Sequence, residues 1–359
     1  MTERFSPRLR PALIGSLPMK DHREATRLVF SQVPEIPLWA QLPVYPEEGM
    51  VAQFLPGFPA VAEKGDKRFV DTRGDAFEKE VLAFYEEYLA VSENNADLLA
   101  SRFSLGQKEA AGFFEFLDQA AAAGDALAAV KGQITGPFTF ATSVVDADDR
   151  AVFYDEQLRD IAVKLIATKA RWQARRLAEL GRPVIIFFDE PGLTAFGSSA
   201  FISISREEVM ACFTEVIEAV QAEGALAGVH VCANAEWSII LDSPADIVSF
   251  DAYSYFDKFL LYADEIVRFL NQGRILAWGL VPTSDAAAIN KETVDSLADT
   301  WEEQAARIQG LGIERAVIAD QSLITPSCGT GSLDLETARR VLELTAGLSA
   351  RLRRQYYSE

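Results

Sequence analysis

The stretch Pro183-Val184-Ile185-Ile186-Phe187-Phe188-Asp189-Glu190-Pro191-Gly192 is a continuous apolar run that ends in two carboxylates. Such a run is typical of a β-strand buried on both faces, as in a parallel sheet that helices cover. Patterns typical of long helices precede it at residues 156–180 and follow it at residues 206–222. The stretch therefore predicts a buried strand of an α/β protein.

The rest of the chain repeats this alternation of strand and helix. Eight strand candidates lie near Ile14, Trp39, Val130, Ile186, Val229, Val248, Ala277 and Val317, the last over residues 315–319. Alternation indicates parallel strands joined by crossover helices, and eight such units predict a (β/α)8 TIM barrel. We expect a single domain over residues 1–359, with an irregular excursion at about residues 43–74 that is rich in Pro and Gly. An open doubly wound sheet is the alternative, but the glycine-rich phosphate loops that usually accompany it do not occur.

The composition argues against several classes of protein. A chain of 359 residues that is 49% hydrophobic can bury a large core, and its net charge of −19 argues against nucleic acid as a partner. Three cysteines cannot form a paired disulfide framework, which favours a reducing, cytoplasmic setting. Residues 1–10 are polar and do not resemble a signal peptide, and no apolar run reaches the ~18 residues that a membrane span needs.

The strand candidate near Val229 ends in His230-Val231-Cys232, which holds one of two histidines and one of three cysteines. Side chains two residues apart on a strand point to the same face, so both can reach one metal ion. Cys328 is the candidate third ligand, since small residues flank it in Pro326-Ser327-Cys328-Gly329-Thr330-Gly331. The alternative is a hydrogen-bonded core histidine beside a small buried cysteine.

One imidazole and two thiolates with an open fourth position are typical of a catalytic zinc site. Such a soft ligand set makes the metal less Lewis-acidic, so it favours binding and activating a substrate thiol over making hydroxide. The remaining cysteine, Cys212, lies on the apolar side of a predicted helix, and we expect it in the core.

Polar residues also follow other predicted strands, which in a barrel places them on the rim where active sites lie. Asp189 and Glu190 could bind an α-amino group or act as acid and base, or else cap the next helix. Asp251 is a candidate fourth ligand or support for the site, or else a cap at a strand end. Ser16, after Ile14 and Gly15, could present backbone N–H groups to a carboxylate, or lie in an ordinary turn.

With these motifs in this order, the chain resembles the catalytic C-terminal barrel of the cobalamin-independent methionine synthases. That barrel belongs to a superfamily that also contains uroporphyrinogen decarboxylase. The matching motifs are Ile14-Gly15-Ser16-Leu17-Pro18, Thr135-Gly136-Pro137, Asp189-Glu190-Pro191, His230-Val231-Cys232 and Cys328-Gly329. The resemblance implies a TIM barrel and a zinc-dependent methyl transfer to a thiol, with homocysteine as the expected acceptor and methionine as the product.

The resemblance also assigns roles to single residues. His230, Cys232 and Cys328 match the zinc ligands. Ile14 and Ser16, with Gly15 between them, match positions that hold the amino-acid end of homocysteine. Asp189 matches the carboxylate that holds the amino group. A further homocysteine-binding glutamate should lie within Tyr45-Pro46-Glu47-Glu48, and Glu47 is the candidate.

The chain departs from the family at three points. Asp251 stands where the family has a glutamate ligand, and Leu280-Val281-Pro282-Thr283 replaces the region of a catalytic histidine. We expect this chain to correspond to the catalytic barrel alone, without the N-terminal second barrel that helps the full-length synthases bind methyl-folate. The methyl donor is therefore expected to be a methylated corrinoid, free or carried on a corrinoid protein, or a methyl-folate.

Two other functions stay open. A uroporphyrinogen decarboxylase-like enzyme needs an arginine-rich cleft for its substrate, and the predicted strand ends carry no arginine cluster. A non-catalytic barrel that binds a corrinoid or acts as a scaffold would fit the departures from the family.

Overall fold

A computed structural model describes residues 5–65, 67–93 and 97–357. The strands are β1 Val61–Lys64, β2 Lys67–Val70, β3 Val130–Thr135, β4 Val184–Asp189, β5 Leu226–Val231, β6 Ile247–Phe250, β7 Ile275–Val281 and β8 Ser322–Pro326. The helices are α1 His22–Gln32, α2 Phe77–Glu93, α3 Ala111–Ala123, α4 Pro137–Ser143, α5 Glu156–Ala178, α6 Arg206–Ala222, α7 Trp237–Leu241, α8 Ala252–Phe259, α9 Ala263–Asn271, α10 Ala286–Lys291, α11 Val294–Gln309, α12 Arg315–Asp320 and α13 Leu335–Tyr357. No helix within these ranges is long and apolar enough to cross a bilayer.

The core of the fold is a six-stranded parallel sheet in the order β3-β4-β5-β6-β7-β8. Helices lie between successive strands, as crossover connections require. Because every strand runs the same way, all six carboxyl ends lie along one edge of the sheet. The polar residues that follow the strands in sequence are therefore gathered at that edge.

Both faces of the sheet are buried, as the apolar run of β4 predicts. Ile186 and Phe188 belong to the large cluster that also contains the buried helix residues. Ile185 and Phe187, which alternate with them, belong to a smaller cluster on the inner face that also contains Ala12. This alternation of period two decides which side chains can reach the inner space.

The prediction of an eight-stranded TIM barrel is wrong. Within the described residues the parallel sheet has six strands, and the segments around Ile14 and Trp39 form only isolated bridges. One parallel bridge joins Pro11 to Ile324, and another joins Leu38 to Lys131. Pro11 and Pro37 have no N–H to donate, so each removes one hydrogen bond from a ladder through its segment.

The strand predicted at residues 315–319 is also wrong, because these residues form helix α12 and the strand follows them as β8. A short apolar run does not distinguish a helical turn from a strand by periodicity alone. The polar residues Asp320, Gln321 and Ser322, which follow the predicted strand, lie instead at the end of α12 and the start of β8. The Ser322 hydroxyl accepts a hydrogen bond from Trp278 Nε1 at 2.8 Å, which explains its burial.

The excursion at residues 43–74 contains the antiparallel hairpin β1–β2 and a short 3-10 turn, Pro46–Glu48. It lies against the carboxyl end of the sheet, where Thr135 Oγ1 donates a hydrogen bond of 2.6 Å to the carbonyl of Met50. The segment before the excursion lies directly against α3. At Gly112 of this helix the approach is so close that a Cβ would lie 2.1 Å from the Ala40 carbonyl oxygen.

We expect Gly112→Ala to lower the free energy of unfolding by about 1–3 kcal/mol, because the new methyl group must displace backbone rather than a side chain. Gly347→Ala is the matched control in a second helix, where the Cβ would meet only the Val294 Cγ2 at 2.8 Å. A methyl group can yield, and alanine favours the helix, so this variant should stay within about 1 kcal/mol of the parent. Urea unfolding of both proteins compares them, and equal losses would refute the close contact.

Candidate metal centre

Three potential metal ligands converge at the carboxyl edge of the sheet. His230 lies on β5 and Cys232 directly follows it, while Cys328 lies in the loop after β8. The ligand atoms of these three side chains all lie within 4.8 Å of one another. The structure thus brings together residues separated by almost a hundred positions.

The imidazole of His230 is arranged as a ligand would be. Its Nδ1 lies 2.9 Å from the Ser249 hydroxyl on the neighbouring strand β6. Its Nε2 is buried and has no hydrogen-bond partner among the described residues. If Nδ1–H donates to Ser249, the Nε2 lone pair is left free for a metal, which is the usual arrangement of ligating histidines. The donor set of one imidazole and two thiols fits Zn²⁺.

The two thiols of the cluster share one environment. The pKa of Cys232 lies well below its usual range, because the Cys328 thiol and, to a lesser extent, the adjacent His230 ring stabilise its thiolate. The same contact, together with burial, raises the pKa of Cys328. Cys212 differs from both, since it is buried in α6 and burial raises its pKa to about 12. The third cysteine is a core residue.

A cavity of about 240 Å³ opens beside the cluster. Its wall combines the cluster, the strand ends and the excursion, and consists of Ile14, Gly15, Ser16, Gln41, Pro43, Glu48, Gly49, Met50, Thr135, Asp189, Pro191, His230, Cys232, Cys328 and Gly329. Glu48 and Asp189 are its carboxylates, and no Lys or Arg of the described chain lines it. The cavity is therefore suited to a small ligand that carries a positive charge.

Asp189 ends β4 at the register position opposite His230 and lines the cavity. Its Oδ1 is buried without a hydrogen-bond partner among the described residues. Burial raises the pKa of Asp189 to about 6, and the nearby His230 and Lys131 partly offset that effect. An unpaired buried carboxylate oxygen is costly, and a donor supplied by a ligand would relieve that cost.

Glu190 is fully buried but does not line the cavity. One carboxylate oxygen accepts the N–H of Phe138 at 2.9 Å, and the other accepts the N–H and hydroxyl of Thr139. Burial raises the pKa of Glu190 to about 7. A Cβ on Gly136 would lie 2.2 Å from Glu190 Oε1. The motifs Thr135-Gly136-Pro137 and Asp189-Glu190-Pro191 are thus packed together, with Glu190 holding the start of α4.

Asp251 follows β6 and caps helix α8, where its Oδ1 accepts the Ser254 N–H at 2.8 Å. Burial raises its pKa to about 6, with a further contribution from the nearby Cys232. It stands outside the group of three ligand atoms and outside the cavity wall. The structure places Asp251 beside the cluster as a capping carboxylate.

The segment Ile14-Gly15-Ser16 lines the cavity and is held from two sides. From β3, the buried Lys131 ammonium donates to the Ile14 carbonyl at 2.7 Å. From the loop of Cys328, Thr330 N–H donates to the Ser16 carbonyl at 3.0 Å, and Gly331 N–H donates to its hydroxyl at 3.2 Å. Hydrogen bonds therefore connect this segment directly to the loop of Cys328.

Of the two neighbouring glutamates in the excursion, the structure directs Glu48 into the cavity wall. Glu47 lies 3.4 Å from Lys108 and lines a different cavity beneath the β1–β2 hairpin. Glu48 is 3% exposed, and its oxygens accept from the Leu42 N–H at 2.7 Å and meet His22 Nε2 at 2.5 Å. Burial raises the pKa of Glu48, and these two donors partly offset that effect.

Sequence reasoning missed several residues of this site, namely Gln41, Glu48, Lys131 and Ser249. Lys131 could have been found, because Lys131, Gln133 and Thr135 place a polar residue at every second position of a strand that is otherwise buried. Burial lowers the pKa of Lys131 to about 7. The sequence indicates Ser249 more weakly, as a polar residue on β6, the strand that follows the strand of His230.

Comparisons with known proteins bear on the fold. The chain matches no family model and no curated protein. It is similar in structure to a B12-independent methionine synthase from Shewanella sp. W3-18-1, which was solved in complex with selenomethionine. The TM-score is 0.58 and the sequence identity is 15%, and the superposition covers 98% of this chain and 99% of that chain. A pneumococcal exo-β-D-N-acetylglucosaminidase module reaches a TM-score of 0.45 at 10% identity over 95% of this chain and 85% of its own, which carries no argument. The first likeness shows a methionine synthase-like α/β fold, and the resemblance inferred from the motifs is supported at that level.

Proposed function

We propose that this protein is a zinc-dependent methyltransferase that acts on the thiol of homocysteine to form methionine. The observation that carries the proposal is a His-Cys-Cys cluster, within 4.8 Å, opening onto a cavity that two carboxylates line and that no Lys or Arg of the described chain lines. Its fold is like that of a methionine synthase that was solved with selenomethionine, an analogue of methionine. Cluster and cavity together match a ligand with a thiol at one end and an ammonium at the other.

His230, Cys232 and Cys328 would hold the metal. Bound there, Zn²⁺ supplies a soft Lewis acid that keeps an acceptor thiol deprotonated yet nucleophilic at neutral pH. Ser249 keeps the His230 Nδ1 engaged, so that Nε2 faces the cluster. We assign Asp251 the role of a neighbouring carboxylate that caps α8 and adds negative charge beside the cluster.

The amino-acid end of homocysteine would occupy the other side of the cavity. Asp189 offers an unpaired buried oxygen to the ammonium, and Glu48 lines the same cavity. The backbone at Ile14-Gly15-Ser16, held by Lys131 and by the loop of Cys328, would receive the carboxylate. A volume of about 240 Å³ lies below the range of drug-sized pockets, as a small amino acid requires.

Glu190 contributes to this proposal as a positioning residue. It does not line the cavity, and Phe138 and Thr139 engage its two oxygens, so it is not available to a ligand there. By holding the start of α4 it fixes the end of β3, where Thr135 faces the cavity.

The methyl donor would approach through the mouth of the cavity. Met50 lines the cavity and is 45% exposed, and Val44, which follows the cavity residue Pro43, is 50% exposed. We propose a methylated corrinoid or a methyl-folate as the donor. A uroporphyrinogen decarboxylase is disfavoured, because no arginine of the described chain lines the cavity to receive the substrate's carboxylates.

Metal content tests the cluster through its cysteines. We expect about one zinc per chain in the parent and less than about a tenth of that in Cys232→Ser and Cys328→Ser, since each removes one of three ligands. Cys212→Ser, in the core of α6, is the matched control and should keep its zinc. Elemental analysis of the purified proteins gives the ratio, and zinc retained by Cys232→Ser would place the metal elsewhere.

The role of Ser249 is tested through affinity. Ser249→Ala should weaken zinc binding by about tenfold to a hundredfold, because the His230 ring loses the partner that fixes its tautomer and orientation. Ser243→Ala replaces another buried serine, whose hydroxyl bonds to the Ile240 carbonyl, and should leave the affinity unchanged. Competition with a chelating dye measures both variants. An unchanged affinity in Ser249→Ala would show that the bond to His230 does not support the site.

Activity is tested by supplying the zinc-loaded protein with homocysteine and either methylcobalamin or methyl-tetrahydrofolate. We expect methionine with one of the two donors, and a loss of about thirtyfold or more in kcat/KM for Asp189→Asn, which removes the charge facing the ammonium. Asp257→Asn, at an exposed ion pair with Arg307, should retain full activity. Zinc-loaded protein that forms no methionine with either donor would favour a non-catalytic protein that binds a corrinoid or acts as a scaffold.

A further inference from the structure

His22 is the chain's second histidine, and it lies at the first position of α1 rather than on a strand. Its side chain is 16% exposed and stacks on the ring of Tyr45, with centroids 5.4 Å apart. Its Nε2 lies 2.5 Å from Glu48 Oε1, across the gap between α1 and the excursion. The Tyr45 hydroxyl bonds to the Lys20 carbonyl at 2.6 Å, which ties the stacked ring to the same end of α1.

The contact between His22 and Glu48 determines how the Glu48 carboxylate is oriented in the cavity wall. Its Oε2 accepts the Leu42 N–H, and its Oε1 meets His22, so each oxygen has a fixed neighbour. An ionised carboxylate only accepts hydrogen bonds, so His22 must donate from a protonated Nε2. Without that donor, a carboxylate that is 3% exposed would lose one of its two partners and would turn or take up a proton.

We propose that His22 is a positioning residue that holds Glu48 as an oriented anion in the cavity wall, and so makes the site selective for thiols that carry an α-amino group. This inference rests on the proposed function, because it assumes that the thiol end of the ligand lies at the cluster. The ligand class is an ω-thiol α-amino acid, whose ammonium would lie between Asp189 and Glu48. A thiol acid without the amino group would gain nothing from either carboxylate.

Two substitutions that differ by one methylene test the inference. The amide nitrogen of His22→Gln can reach the place of the imidazole Nε2, whereas His22→Asn is too short to reach Glu48. The zinc-loaded proteins are titrated calorimetrically with homocysteine and with 4-mercaptobutanoate, which has the same thiol, chain and carboxylate without the amino group. The difference between the two ligands reports on the ammonium alone.

We expect His22→Asn to weaken homocysteine binding by about tenfold and 4-mercaptobutanoate binding by less than about twofold. His22→Gln should restore most of the homocysteine affinity. In the Glu48→Gln background the Asn substitution should have no further effect, since His22 acts through Glu48. A merely structural role for His22 would weaken both ligands alike in His22→Asn and would add to the effect of Glu48→Gln.

The outcomes separate this inference from the proposed function. Equal homocysteine affinity in the parent and His22→Asn overturns the inference and leaves the thiol site intact. Equal losses for the two ligands overturn it as well. A parent protein that holds zinc but binds neither thiol overturns the proposed function and the inference with it.

Discussion

The site depends on one constraint, the register of the parallel strands. The pairing of β3 to β6 puts one residue of each strand on a common level, and these residues are Thr135, Asp189, His230 and Ser249. Successive side chains of a strand point to opposite faces of the sheet. The neighbours of these four residues along each strand pack under the helices, so the four residues themselves face the inner space. A slip of one residue in a single strand would turn its polar side chain outward into the apolar layer.

The polar residues at this level destabilise the fold, but they supply the groups that a ligand can use. Asp189 Oδ1 and His230 Nε2 are buried without partners among the described residues, and each such atom costs about 1–3 kcal/mol when nothing binds it. The ammonium of Lys131 is also buried, where the Ile14 carbonyl and the ring of Phe187, 4.3 Å away, receive it. Unpaired polar atoms concentrated at one cavity are expected where a ligand completes their bonding.

The sequence was informative where one local pattern decided the outcome. The apolar run of β4 predicted a strand buried on both faces, and the pattern at residues 206–222 gave the limits of α6. Ser205 and Glu208 cap the start of that helix reciprocally.

The sequence was misleading where the outcome depended on distant partners. The segments near Ile14 and Trp39 are apolar enough for strands, but they form only isolated bridges, and Pro11 and Pro37 cannot donate to a ladder. The burial of Glu48 and its contact with His22 follow from how the excursion folds back, which no spacing in the sequence encodes.

The loop of Cys328 and the segment that contains Ser16 form one mechanical unit, and this links the two ends of the proposed ligand. Ser16 accepts hydrogen bonds from Thr330 and Gly331, and a Cβ on Gly329 would lie 2.2 Å from the Ser16 hydroxyl. The residue after Cys328 must therefore be small for the two segments to touch. Under the proposed function, Cys328 is a metal ligand and the segment of Ser16 is the anchor for the amino-acid end, so backbone contact sets the distance between them. Such a site would select chain length, since a thiol one methylene shorter would span less of that fixed distance.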